Sequence, residues 1–268
     1  MANERGRTLR DRMAVWSPPQ ISANGLKLVG AVLMVLYFFS TAVVQNGMLR
    51  VTEYTSEQLN TLLAADPQAM LWAGIGSVTS VVGIIGVPIF AYLLVQGVEH
   101  TSSLRNYILS VLAFAIISEV PYDLAMSGQA WNWSEQNSLW TVLIALIMLW
   151  LMKTFQGKGM VPLVLSLLFS GAGCFWAILL HTKFGGGFVL LTAVLYLLRA
   201  RKGVSYGLGA LVSLIFATAP LGFVPVAMCN GERRDMGQWG KYGFYAFYPV
   251  MFALFALWTQ VIAPGPIA

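Results

Sequence analysis

Apolar residues in this chain run unbroken for lengths that cross a bilayer, and a backbone in hydrocarbon must satisfy its own hydrogen bonds, so only helices or a closed barrel are open to it. The runs fall near residues 26–45, 70–96, 106–126, 138–152, 160–181, 186–198, 205–228 and 242–262. They are continuous rather than alternating, which selects helices. Of the 268 residues, 57% are hydrophobic and 10% charged, too little polar surface for a water-soluble domain. The expectation is an all-α polytopic transmembrane bundle of about eight spans. The run at 186–198 is short for a full crossing and reads as a tilted or partial helix packed inside the bundle.

Ahead of the first run, Arg5, Arg7, Arg10 and Arg12 precede a Ser17-Pro18-Pro19 break. Residues 1–20 read as a basic cytoplasmic arm and 21–268 as the transmembrane domain, with no pattern of a cleavable leader. An inside N-terminus places about eleven basic residues on inner loops and about five outside, the asymmetry of the positive-inside rule. The net charge of +5 has that origin, and no basic helix with interleaved aromatics points to nucleic acid. Membrane lipids are the expected surroundings, with Trp131, Trp133, Trp140, Trp239 and Tyr242 as an interfacial belt. Cys174 and Cys229 lack metal-ligand spacing, and no P-loop, GxSxG or HExxH motif occurs. No metal is expected.

One apolar run ends in Ile117-Ser118-Glu119-Val120-Pro121-Tyr122-Asp123-Leu124. Glu119 and Asp123, at i and i+4, share a helix face, and Pro121 frees a backbone carbonyl beside them. Ionisable residues at such a place are functional candidates, since two neighbouring carboxylates must share a proton, meet a cation or face water. They could also merely cap the segment at the headgroups. On the topology above, Tyr122, Gln136, Asn137 and Asn230 lie at the same outer face, so these groups are expected to converge on a polar pocket suited to an amine, such as the free N-terminus of a peptide. The alternative is that they lock helix packing through interhelical hydrogen bonds.

The order of several blocks resembles the TraX family: Val87 to Gly97, Glu99-His100-Thr101, Ile117 to Leu124, Trp133-Ser134-Glu135-Gln136-Asn137, Phe184-Gly185-Gly186-Gly187, Asn230-Gly231 and Phe244-Tyr245-Ala246-Phe247-Tyr248-Pro249. The likeness covers most of the chain from Leu26 onward. It implies a multi-pass protein of the bacterial cytoplasmic (inner) membrane related to conjugative pilus biogenesis. It further implies distant kinship with membrane acyltransferases and acetyl or other acyl transfer from acyl-CoA, to the amine or hydroxyl of a pilin-like, secreted or membrane substrate. On that reading Glu119 and Asp123 are the catalytic candidates. His100, on the family's Gly-x-x-His-Thr pattern, and Arg105 would meet the acyl-CoA.

The departures from the family pattern carry equal weight. Where the family usually has an Asp-His pair after its first Leu-Lys motif, this chain has Tyr37-Phe38; where it has Tyr-Pro-x-His, this chain has Tyr248-Pro249-Val250-Met251; where it tends to Asp-Tyr-Gly, this chain has Lys183-Phe184-Gly185. Acyl transfer needs a base working near neutral pH, usually histidine, and only His100 and His181 occur. Three expectations stand side by side: an acyltransferase using a carboxylate, a non-catalytic relative that binds a peptide or membrane partner, and a small-molecule transporter, which would need a water-filled path linking Glu119 and Asp123 to His100.

Overall fold

The computed structural model describes residues 20–232 and 237–262; the arginines of the basic arm lie outside them, as do the side chains of Trp239 and Tyr242. Ser22 accepts the Gly25 N–H and starts α1 (Ala23–Phe38), which widens into a π-helix over Phe39–Met48. A short α2 (Ser56–Ala65) carries a capping box from Thr55 and Gln58. Asp66 and Pro67 then open α3 (Pro67–Gly83), which passes through a two-residue break into α4 (Gly86–His100). There follow α5 (Leu104–Ser127), α6 (Ser138–Thr154), α7 (Met160–Leu179) and α8 (Gly185–Leu197). The chain closes with α9 (Lys202–Ser213), α10 (Phe223–Ala227) and α11 (Gly237–Leu257). Among the described residues there is no strand, only two isolated bridges.

Five helical segments are long and apolar enough to cross a membrane: 23–48, 67–100, 104–127, 160–179 and 243–261. The protein is therefore a multi-pass, all-α membrane protein. Leucines, valines and tryptophans along α7 stay exposed, including Leu163, Leu168 and Trp176, as expected of a face that meets lipid. The core gathers instead around α8, whose Phe188, Val189, Leu191, Ala193 and Leu195 are buried. Its 13 residues span about 20 Å, yet ion pairs mark both of its ends: Lys183 with Glu135 at 3.0 Å, and Arg199 with Glu99 at 2.7 Å. The short run is a central helix reaching from one polar end of the bundle to the other.

The run at 205–228 returns to the end of the bundle from which it starts. Pro220 and Pro225 cannot continue a helix ladder, and Ala217 takes a positive φ of 52°, so the chain turns back. At the turn Thr218 Oγ1 donates to Val81 O at 2.6 Å. Gly209 and Phe223 face each other across the two arms, and Asn230 N returns to Ile21 O at 3.0 Å beside the start of α1. This segment enters from the Glu99 end and leaves by it. The final helix then runs parallel to α5, with Phe114 stacked on Tyr245 (5.3 Å between ring centres), Tyr122 against Phe252 (5.0 Å) and Gln260 reaching Leu124 O.

Close approach of backbones needs glycine at two places. Gly83 lies against the Tyr37 backbone and Gly222 against the Ile85 carbonyl at the α3–α4 break. Gly83→Ala is expected to cost about 1–3 kcal/mol and to lower the detergent melting temperature, whereas Gly74→Ala, with open space around it, should leave it unchanged; equal melting of the two variants would contradict this packing.

Candidate functional site

The carboxylate pair sits at the end of α5, held by loops on both sides. Gly128, with φ of 70°, ends the helix and returns its N–H to Leu124 O. The loop beyond it folds back on Asp123, whose Oδ2 accepts the Asn132 N–H at 2.8 Å. Gln136 acts through its backbone, exchanging hydrogen bonds with His181 O and Lys183 N, so the 128–137 loop is tied to the turn before α8. That turn is strained: His181 and Phe184 are non-glycine residues at positive φ, a conformation that persists only where surroundings impose it. The imposition is visible in Thr141, whose hydroxyl bonds Lys183 O.

Glu119 and Asp123 share a face but take different roles. Glu119 is buried, and its Oε2 accepts from Asn137 Nδ2 and, at 2.7 Å, from Trp140 Nε1. Asn137 also caps α6 by accepting the Leu139 N–H and donates to Ala115 O at 2.9 Å. Glu119 therefore clamps α5 to the start of α6. Its other oxygen, like Ser118 Oγ, is buried without a hydrogen-bond partner among the described residues. Trp140, expected in an interfacial belt, turns its indole N–H inward to this clamp, while Trp131 and Trp133 are exposed and pair edge to face at 5.4 Å.

Asp123 and Tyr122 open onto a cavity of about 230 Å³, walled also by Thr41, Asn46, Asn132, Ser134, Glu135 and Lys183. Glu135 accepts from the Tyr122 hydroxyl at 2.5 Å and pairs both oxygens with Lys183 Nζ at 3.0 Å. That pair is internally neutral. Asp123 has no cation partner among the described residues, so the cavity carries one unmatched carboxylate. An ammonium group fits this lining: the carboxylate supplies the charge, and side-chain oxygens of Thr41, Asn46 and Ser134 supply further acceptors.

The other expected site residues lie elsewhere. Asn230 does not join Glu119 and Asp123; the fold-back of 202–229 places it at the Glu99 end, where its Oδ1 accepts the Glu232 N–H at 2.9 Å. His100 and Arg105 are exposed at that same end, His100 Nδ1 lying 2.9 Å from Gln96 O. Arg105 and Glu119, 14 positions apart on one helix, are separated by about 21 Å. Glu135 and Lys183 complete the cavity and were missed as site residues, although Glu135 stands inside the Trp133–Asn137 block. No group of three His, Cys, Asp or Glu suited to a metal occurs among the described residues.

Below Tyr122 lies a tight apolar cluster. Phe38, Met251 and Phe252 are buried there, with Phe38 at 4.8 Å from Phe252 and Tyr37 at 5.3 Å from Phe184 between ring centres. A family model described as TraX protein matches residues 22–259. The chain belongs to the TraX family. No curated protein and no solved structure matches it. Membership implies a conjugation-related membrane protein. The three stretches that read from the sequence as departures from the TraX resemblance, at 37–38, 183–184 and 251, are one place in the fold: their side chains meet beside Tyr122, with Lys183 Nζ 5.8 Å from the Tyr37 ring.

Removing the clamp and removing the cavity charge should therefore read differently. Asn137→Ala strips Glu119 of a donor and α6 of its cap and is expected to cost about 2–4 kcal/mol, seen as a lower melting temperature. Asp123→Asn keeps an acceptor for Asn132 and should leave melting nearly unchanged; a larger loss from Asp123→Asn than from Asn137→Ala would reverse the assignment of the two carboxylates.

Proposed function

We propose that this TraX-family protein holds the amino end of a polypeptide, pilin-like, secreted or membrane-embedded, in the Asp123 cavity, as a binding protein rather than an acyltransferase. The observation that carries the reading is the packed Tyr37–Phe38–Phe184–Met251 cluster directly below Tyr122, at positions where the family resemblance leads one to expect polar residues. No imidazole stands there to take a proton from an attacking amine. What is kept is the recognition half of such a site: an unmatched carboxylate, hydroxyl and amide groups, and an ion pair that fixes Tyr122. The exposed Trp131–Trp133 pair beside the Asp123 loop is suited to an apolar side chain or to the headgroup layer.

A basic Glu99 end, with Arg105, Lys153, Lys158, Arg199, Arg201 and Lys202, supports a cytoplasmic placement of that end and of the N-terminus. The amine cavity would then face the outside of a cytoplasmic membrane, where processed N-termini emerge. Acyl transfer is the second reading, favoured by the free Asp123 carboxylate, which could serve as base; the donor would be acetyl-CoA or another acyl-CoA. His100 and Arg105 would meet that donor only from the opposite end of the bundle, which weighs against it.

The test uses the detergent-purified protein and a short apolar peptide with a free or an acetylated N-terminus. Calorimetry is expected to give binding of the free peptide, about tenfold or more weaker after N-acetylation or in Asp123→Asn. Added acetyl-CoA should leave the peptide mass unchanged. An Asp123-dependent gain of one acetyl group would establish the second reading, and equal binding of both peptides would defeat the amine site altogether.

A further inference from the structure

A second cavity, of about 190 Å³, lies at the Glu99 end, where the fold-back segment begins and ends. Among the described residues, Arg199, Lys202 and Asn230 bring donors to its lining that the fold does not use. Arg199 is fixed on three sides: Nε donates to Glu99 Oε1 at 2.7 Å, Nη1 to Tyr196 O at 2.7 Å, and the guanidinium lies 4.0 Å from the centre of the Tyr196 ring. An arginine carries five N–H groups in a planar fork, so two are used for positioning and three remain. Lys202, in the first turn of α9, adds an ammonium group. Among the described residues no side chain caps that helix start, whose Lys202 and Ser205 line the same cavity, so its positive end lies near it. Asn230 spends its carbonyl oxygen on Glu232 N and keeps its amide N–H groups for the cavity it lines.

We infer that this cavity binds a phosphate group, with Arg199 and Lys202 as the charged contacts and Asn230 as a neutral donor. Glu99 also lines it, with Oε1 paired to Arg199 Nε, so its charge is matched by the fork that it orients. With Glu99, Arg199 and Lys202 counted, the lining holds one net positive charge. A planar fork held in place is the arrangement that matches phosphate oxygens bidentately. Ser205, buried at 3% exposure, contacts Leu195 O at only 3.5 Å, and its hydroxyl can shift to a phosphate oxygen. The cavity sits at the mouth of a segment that enters the bundle and returns. A phosphate bound there would bridge the two arms at Lys202 and Asn230, tying down the fold-back. The site is independent of the amine cavity at the opposite end.

The phosphate could belong to a lipid headgroup or to a soluble phosphomonoester. Two arms separate them: glycerol 3-phosphate titrated into protein in an uncharged maltoside detergent, and phosphatidic acid in nanodiscs otherwise made of phosphatidylcholine, read by native mass spectrometry. At least one arm should bind, about tenfold or more weaker in Arg199→Gln and in Lys202→Gln, and unchanged in Arg201→Gln, which lies outside the lining. The arm that binds identifies the source. Binding in neither arm, or an equal loss in Arg201→Gln, overturns the site. If Arg199→Gln fails to fold, judged by its elution and melting, Lys202→Gln alone decides.

Discussion

A carboxylate inside an apolar bundle must be met by donors from the protein itself, and Glu119 is met by Asn137 and Trp140. The rest of the Glu135 end follows from that contact. It fixes the start of α6 against α5, the intervening loop then closes over Asp123, and the backbone exchange at Gln136 carries the constraint to the turn that presents Lys183. Tyr248 extends the same junction to α11, its hydroxyl 2.7 Å from Ser138 Oγ. Four helices are thus brought together by polar contacts around one buried acid. Hydrophobic burial cannot set their registry, because lipid tails are as apolar as the helix faces.

Division of labour between two neighbouring carboxylates makes the site possible. One is consumed in structure and the other is left facing a cavity. The ion pair of Glu135 with Lys183 takes up the remaining charge, so the cavity differs from the surrounding polar loops by one unmatched negative group. The apolar cluster beneath Tyr122 then determines what the cavity can do. Phenylalanine and methionine side chains fill the space directly beneath Tyr122, and on the proposed reading the chemistry left to the site is recognition.

The class of fold was legible in the sequence because run length and continuity report directly on the membrane. The Glu119–Asp123 pair was legible for a related reason: an i, i+4 pair of acids in an apolar helix has few cheap explanations. The partners Glu135 and Lys183 were not, since their contact joins loops 48 positions apart and no local periodicity records it. Trp140 was misread because a tryptophan near a helix start has the same composition whether it faces headgroups or a buried acid. Asn230 was placed at the wrong end by run length alone. The apolar stretch at 205–228 is long enough to cross, and only the prolines and the strained Ala217 turn make it return. The three departures at 37–38, 183–184 and 251 could be noted separately in the sequence, but their convergence is a property of the fold.

The fold-back is what separates the Asp123 cavity at one end from the Arg199 cavity at the other. It is tested most directly by thiol labelling of single-cysteine variants in sealed vesicles, in a Cys174→Ala, Cys229→Ser background. Gly203→Cys and Gly231→Cys should react with a membrane-impermeant reagent from the same face, and Ser134→Cys from the opposite face. Labelling of Gly203→Cys and Gly231→Cys from opposite faces would mean that the segment between them crosses the membrane, and would contradict the account.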